Sequence, residues 1–259
     1  MPPTRDELRE HLVTTRIAGS VQTPVGDVLR KAQFVADGEE EASFGLTWLT
    51  KYSHSDVLEQ IRLQFGWTPT PGEHPYGPTY IDPDILMDEL ELARDRITIA
   101  GREGQRVIMA TGHPTGVFSL HARVADALRL AGAKLLNPAD GERVRVRDND
   151  RLVRYVMDVA TLSSGANLYH THSAYPMRLV LDTVGDQVDL VIGDHGWAGT
   201  AAERGIDVIG IADINDPALP MARFEGRAAV VLGMDDNVVL PRHYDPVADF
   251  LTAGLALSP

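Results

Sequence analysis

Nine histidines and no cysteine set the chemistry open to this 259-residue sequence. Without cysteine there is no thiolate nucleophile, thiolate zinc site, iron–sulfur cluster or disulfide framework. Imidazoles and carboxylates remain, and several lie close together along the chain. His170 and His172 are two residues apart, so on a continuing strand both rings share a face and can hold one metal or one substrate. Asp194-His195-Gly196 sets a carboxylate beside an imidazole, as metal ligand with general base or as base with its orienting acid. Asp213 and Asp216 lie in ADINDP, where a carboxylate at a strand end can hold magnesium or manganese. Thr111-Gly112-His113-Pro114-Thr115-Gly116 has the glycines and hydroxyls of an anion cradle at a helix N-terminus. Arg16, in RIAGSVQTP, can reach a phosphate from a glycine turn.

Each candidate also has an ordinary structural reading. TGHPTG serves equally as a tight strand-to-helix turn. One of His170 and His172 can be a core histidine bonded to backbone. Asp194 can cap a helix and leave His195 facing solvent. Asp216-Pro217 matches the N-cap and first residue of a helix. Asp235 and Asp236 read as a solvated turn more readily than as part of a cation site. Arg16 can pair with surface acids. His243 sits in a PRHYDP loop, and His11, His54, His74 and His121 read as structural or surface residues.

The elements that must position these groups follow from the apolar pattern. Through residue 104 the chain reads as mainly helical: Thr4 to Ala18, Val25 to Val35, and Ser55 to Phe65. A short strand is expected at Ala42 to Leu49. Trp67 to Tyr80 carries four prolines and two glycines and reads as a loop. Asp82-Pro83 then opens a strong helix with Leu86, Leu90, Ala93 and Ile97 on one stripe. From Arg106 the pattern changes. Apolar runs at 107–110, 134–137, 159–162, 168–169, 188–192, 208–212 and 228–232 alternate with helical stretches at 116–131, 174–185, 197–205, 216–225 and 245–256. Continuous apolar strands imply a sheet buried on both faces. The alternation implies an α/β fold with an open, mainly parallel, Rossmann-like sheet and helices on both faces. A hairpin or excursion is expected within 142–155. The expected division is a helical N-terminal region or cap, 1–104, and an α/β catalytic domain, 105–259.

In such a sheet the C-terminal strand ends share an edge, and ligands bind in the crevice there. TGHPTG, His170-Thr171-His172-Ser173, GDHGWAG, Asp213-Ile214-Asn215-Asp216 and Asp235-Asp236-Asn237 each follow an apolar run. Their convergence argues for an enzyme site without naming the reaction. Gly193, Gly196 and Gly199 imply backbone packed closely against a neighbour.

Charge narrows the partners. Asp plus Glu outnumber Lys plus Arg by 37 to 24, for a formal charge of −13. Such a surface repels nucleic acid and anionic membranes. No apolar run approaches the roughly 18–20 residues of a membrane span. The polar start MPPTRDELREHL lacks a secretory signal pattern, so a cytoplasmic protein is expected. A composition of 44% hydrophobic and 24% charged residues is ordinary for a soluble globular chain. Homo-oligomerisation stays open. Only three of the 24 basic residues are lysine (Lys31, Lys51, Lys134), which leaves little scope for Schiff-base chemistry.

The stretches RIAGSVQTP, ATGHPTG, HTHSAYPM, DHGWAGTAAERGIDVIGIADINDPAL and PRHYDP resemble a bacterial, mostly actinobacterial family known simply as phosphatases. The resemblance runs from about residue 5 to 255, with DHGWAG and ADxNDP its most specific parts. It implies a phosphomonoesterase. The chain lacks the Asp-x-Asp-x-Thr of haloacid-dehalogenase-like phosphatases and the Arg-His-Gly of histidine phosphatases.

The leading expectation is metal-assisted hydrolysis of a small phosphorylated metabolite. A divalent ion, magnesium or manganese, would be held by Asp194, Asp213 and Asp216. His170, His172, Asp194 and His195 would be the catalytic groups. Thr111, Gly112, His113, Thr115, Gly116, Ser173 and Arg16 would hold the substrate. The alternatives use the same site as a metal-dependent isomerase, lyase or amide hydrolase, or as a binding site for a small ligand without turnover.

Overall fold

A strand segment with no polar residue must be covered on both sides, and residues 107–110 are of that kind. The computed structural model of the chain describes residues 1–185, 187–236 and 240–255. Strand β3 (Arg106–Ala110) lies at the middle of a nine-stranded sheet. Its neighbours are β9 (Leu190–Asp194) on one side and β7 (Val159–Ser163) and β4 (Lys134–Leu135) on the other. Beyond β9 come β10 (Val208–Ala212) and β11 (Val230–Gly233), and all of these pairings are parallel. Beyond β7 the direction alternates. The hairpin β5 (Arg143–Val146) and β6 (Asn149–Val156) and the two-residue β8 (Leu168–Tyr169) pair antiparallel. The sheet is therefore mixed rather than mainly parallel. The cause is local: β6 and β7 are joined by a tight turn at Met157-Asp158, both at positive φ, with no room for a crossover helix.

The helices from α6 onward follow the strand–helix alternation: α6 (Phe118–Leu130), α7 (Tyr175–Val184), α8 (His195–Glu203), α9 (Ala218–Phe224) and α10 (Asp245–Thr252). Residue 256, the expected end of the last of these, and Asn237 lie outside the described residues.

The first hundred residues carry α1 (Arg5–Thr14), α2 (Val25–Asp37), the single turn α3 (Glu40–Ser43), α4 (His54–Phe65) and α5 (Pro83–Arg102). Thr4 and Ser53 form capping boxes, and Asp82 caps α5 with Pro83 behind it. The strand expected at Ala42 to Leu49 is instead α3 followed by a 3₁₀ turn at Leu49–Lys51. Two short strands, β1 (Gly19–Pro24) and β2 (Pro78–Ile81), form an antiparallel ribbon that the sequence reading did not foresee. Helix α5 packs on α1, α10 and β11, so the N-terminal helices and the sheet share one cluster of buried apolar residues from Leu8 to Leu251. Among the described residues no helix is long and apolar enough to cross a membrane.

Candidate active site

Parallel strands β3, β9, β10 and β11 end at one edge, and each delivers polar residues there. Thr111 to His113 follow β3. Asp194 is the last residue of β9, and His195 is the first of α8. Asp213 follows β10, and Asp235 and Asp236 follow β11. The two remaining histidines come by another route. Strand β7 pairs Val159 and Ala160 with the last two residues of β3 and then runs on past them. Strand β8 turns back along that overhang, pairing Tyr169 with Leu162. His170 to Ser173 are thereby returned to the end of β3, where Thr171 donates its N–H to Gly112 O at 2.9 Å.

Four imidazoles meet there. The His113 and His170 rings lie 4.8 Å apart, His170 and His172 4.8 Å, and His170 and His195 5.2 Å. His172 stacks on His195 at 4.4 Å. The Nε2 atoms of His170 and His172 face each other at 3.1 Å. Phe44, from the N-terminal region, packs edge-on against both His172 and His195. On the other side of His195, its Nε2 lies 3.2 Å from Asp216 Oδ2 and 3.6 Å from Asp236 Oδ2, and its Nδ1 lies 3.3 Å from Asp194 Oδ1.

Asp194 is fully buried and its oxygens are committed. Oδ2 accepts from Thr111 Oγ1, and Oδ1 accepts from the Gly112 N–H, each at 2.5 Å. This carboxylate occupies the N-cap position of α8 yet caps nothing, because it turns toward β3. Gly112 is what lets the loops close: a Cβ there would stand 2.2 Å from Thr171 O and 3.0 Å from His195 Nδ1. His195 itself sits at a φ of 44°, a left-handed conformation costly for a residue with a Cβ.

Five buried carboxylates, Asp194, Asp213, Asp216, Asp235 and Asp236, crowd this edge. Burial opposes charge on His195, but Asp216 and Asp194 outweigh it and raise its pKa well above the usual value. Burial would raise Asp194, yet His195, His121 and the Thr111 hydroxyl hold it below the usual carboxylate range. Asp213 is pushed well up by burial and by Asp235 and Asp216. Asp236 is pushed well up by burial, with Asp213, Asp216 and Asp194 adding to it against His195. Burial, with His195 nearby, pushes His170 down to about 4 and His172 down to about 3. Both are neutral near pH 7, the form that coordinates a metal. His170, His172 and His195 bring ligand atoms within 4.8 Å of one another, and so do His195, Asp216 and Asp236. The donor types and their spacing fit a divalent ion.

Residues 3–259 match a protein family described as Phosphatase. A protein named Phosphatase SCO2771, from Streptomyces coelicolor (strain ATCC BAA-471 / A3(2) / M145), is 41% identical over 254 residues, covering 96% of this chain and 95% of its own. The chain belongs to this phosphatase family. The family resemblance read from the sequence therefore holds, and an enzyme of the phosphatase type is supported.

Within this phosphatase the expected site residues divide. His113, His170, His172, Asp194, His195 and Asp216 come together. Asp213 lies beside them, but its oxygens are taken by Thr23 Oγ1 and the Ile214 N–H, each at 2.7 Å. The Thr111–Gly116 loop spends its donors internally: Thr111 Oγ1 and Gly112 N on Asp194, His113 N on Thr111 Oγ1, and Gly116 N on His113 O. Ser173 Oγ accepts from Tyr175 N at the start of α7. Thr115 is exposed. Arg16 lines a separate cavity of about 730 Å³ with Thr23, Asn215, Asp235 and His243. Asp216 does not cap α9, whose N-cap is Pro217, and points instead at His195.

The solvated turn expected at Asp235 and Asp236 is not what forms. Asp235 donates its N–H to Ile17 O, and both side chains are buried. A third acid directly after a third strand end was the available signal for Asp236. Phe44 and Lys31 left no such signal, since they come from the N-terminal region. Lys31 joins Glu41, Arg147, Arg151, Tyr169, His170 and His172 around a cavity of about 430 Å³.

Proposed function

We propose that this phosphatase hydrolyses a small phosphomonoester with the help of a divalent metal ion. The observation that carries the reading is the excess of buried carboxylate packed against His195 beside two neutral histidines whose Nε2 atoms are 3.1 Å apart. The donors fall in two groups that share His195: His170 and His172 with it on one side, and Asp216 and Asp236 with it on the other. Asp194 and Asp213, both expected as metal ligands, have their oxygens occupied by protein donors and serve as positioning residues. Three imidazoles and two carboxylates suit manganese, zinc or iron better than magnesium, which favours all-oxygen surroundings. When bound, the ion supplies a Lewis acid for the phosphoryl oxygen and lowers the pKa of a bound water.

The chain's own residues do the rest. Asp194, anchored by Thr111 and Gly112, orients His195. The ester enters from the 430 Å³ cavity, past His170 and His172, and Lys31 draws the anion in against the overall charge of −13. His113, 4.8 Å ring to ring from His170, is placed to hand a proton to the leaving alcohol. Residues 1–104 act as the cap of this crevice through Phe44, Lys31 and Thr23.

The test is elemental analysis of the purified protein, with phosphate release from p-nitrophenyl phosphate and a panel of phosphometabolites in manganese, zinc and magnesium. Bound metal, with activity restored after chelation by one ion, is the expected result. No metal and no release under any ion sinks the reading and leaves a ligand-binding protein or a different lyase or isomerase chemistry.

A further inference from the structure

The cavity beside His170 and His172 holds more positive charge than a reacting phosphoryl group beside a metal needs. Its wall is built by the β5–β6 hairpin, with Arg147 in the turn and Asn149 and Arg151 in β6, and by Lys31 from α2. Three cations face one acid, Glu41, in a chain whose formal charge is −13. Many other arginines are tied to acids, as Arg5 is to Asp88, Arg106 to Asp189 and Arg204 to Asp182. Among the described residues Lys31 and Arg151 form no ion pair. Arg151 lies over the Tyr169 ring, its Cζ 4.3 Å from the ring centroid, and its Nη1 donates to Asp150 O at 3.0 Å, which holds the guanidinium beside the cavity it lines. Arg147 is clamped by Glu41 through two contacts. It occupies a hairpin turn position at a φ of 51°, which glycine or asparagine adopts at less cost. What arginine adds there is a fixed cation beside the cavity.

At about 430 Å³ the cavity also exceeds what a lone phosphate fills and falls within the usual range for small-metabolite sites. We propose that the substrate carries a second anionic group, a carboxylate or another phosphate, bound by Lys31, Arg151 and Arg147 while its ester phosphate lies against His170 and His172. This rests on the phosphatase reading above and narrows its substrate class to doubly anionic phosphometabolites. Paired donors on planar guanidinium groups suit both anions, and a neutral sugar phosphate or an aryl phosphate would leave these cations unused.

Phosphonates test the subsite without turnover, because their C–P bond is not an ester. The full-length protein loaded with manganese is titrated calorimetrically with methylphosphonate, 3-phosphonopropionate and propane-1,3-bisphosphonate. At least one two-anion probe should bind about tenfold or more tighter than methylphosphonate, and the better one names the second group. In Lys31→Ala/Arg151→Ala the advantage should fall below about threefold, as expected for lost charge-assisted contacts. Arg151→Gln alone, a milder change at a half-exposed site, should cut it by about threefold. Equal binding of the one- and two-anion probes, or an advantage that survives both variants, overturns the proposal. If no phosphomonoester is cleaved but the advantage is present and lost in the variants, hydrolysis falls and the two-anion site stands.

Discussion

At the scale of single residues the decisive distinction is between carboxylates that hold the protein together and carboxylates left over for chemistry. Asp194 and Asp213 are both fully buried, but protein donors fill them in different electrostatic settings. Asp194 is held ionised beside His195, so Asp194→Asn removes a needed charge. We expect kcat/KM to fall by about 10²–10⁴ and metal affinity by about 10–100-fold, read by phosphate release and elemental analysis. Asp213 is pushed up from the usual carboxylate range by burial and by Asp235 and Asp216, and both its oxygens accept from protein donors, so Asp213→Asn leaves the donor set intact. Its metal content should stay within about twofold of the parent, because the substitution removes no charge from the donor set. Equal losses in both variants would return Asp213 to the ligand set. The sequence made His170, His172, Asp194, His195 and Asp216 legible because each follows an apolar run or ends one. It could not separate ligand from scaffold, because that depends on which neighbour reaches which oxygen. Thr23 reaches Asp213 from 190 residues away.

At the scale of elements, the far end of the central strands is fixed by ion pairs rather than by chemistry. Asp189, just before β9, accepts from the Arg106 N–H and guanidinium, and Arg96 of α5 engages Asp207 ahead of β10. The Arg106 hydrogen bonds hold Asp189 down to about 2. A depressed carboxyl stabilises the fold above its unfolded pKa of about 3.9 and ceases to do so as pH falls through its folded value. The destabilisation of Asp189→Asn relative to the parent should therefore be full at pH 6, shrink between about pH 4 and 2, and vanish below that, measured by urea unfolding across pH. A difference that stays constant to pH 2 would mean that the pair adds nothing electrostatic. The strands on this side were legible as apolar runs, with β10 and β8 read to the residue. The β5–β6 hairpin was legible as a hairpin or excursion within 142–155, without the bounds of β6. Its strands alternate charged and apolar residues at a sheet margin, so continuous burial could not mark them. Ribbon β1–β2 was lost because its partners lie about sixty residues apart and both are short.

At the scale of the whole molecule, net charge and the buried site make competing predictions about divalent ions. A chain at −13 repels itself, so any cation screens it and raises stability somewhat. That effect needs no particular side chain and is largely exhausted at 0.15 M salt, where the Debye length is about 8 Å. A specific ion at His170, His172, His195, Asp216 and Asp236 stabilises by mass action, about 2.7 kcal/mol at a hundred times its dissociation constant. For a chain of this size that corresponds to a rise in Tm of about 5–10 °C. In 0.15 M potassium chloride after chelation, manganese or zinc at micromolar levels should raise Tm by that amount, and magnesium should need millimolar levels or fail. Asp216→Asn should abolish the rise while leaving the response to potassium chloride intact. A rise of equal size from all three ions, still present in Asp216→Asn, would assign the effect to bulk charge and leave the histidines without a metal to hold.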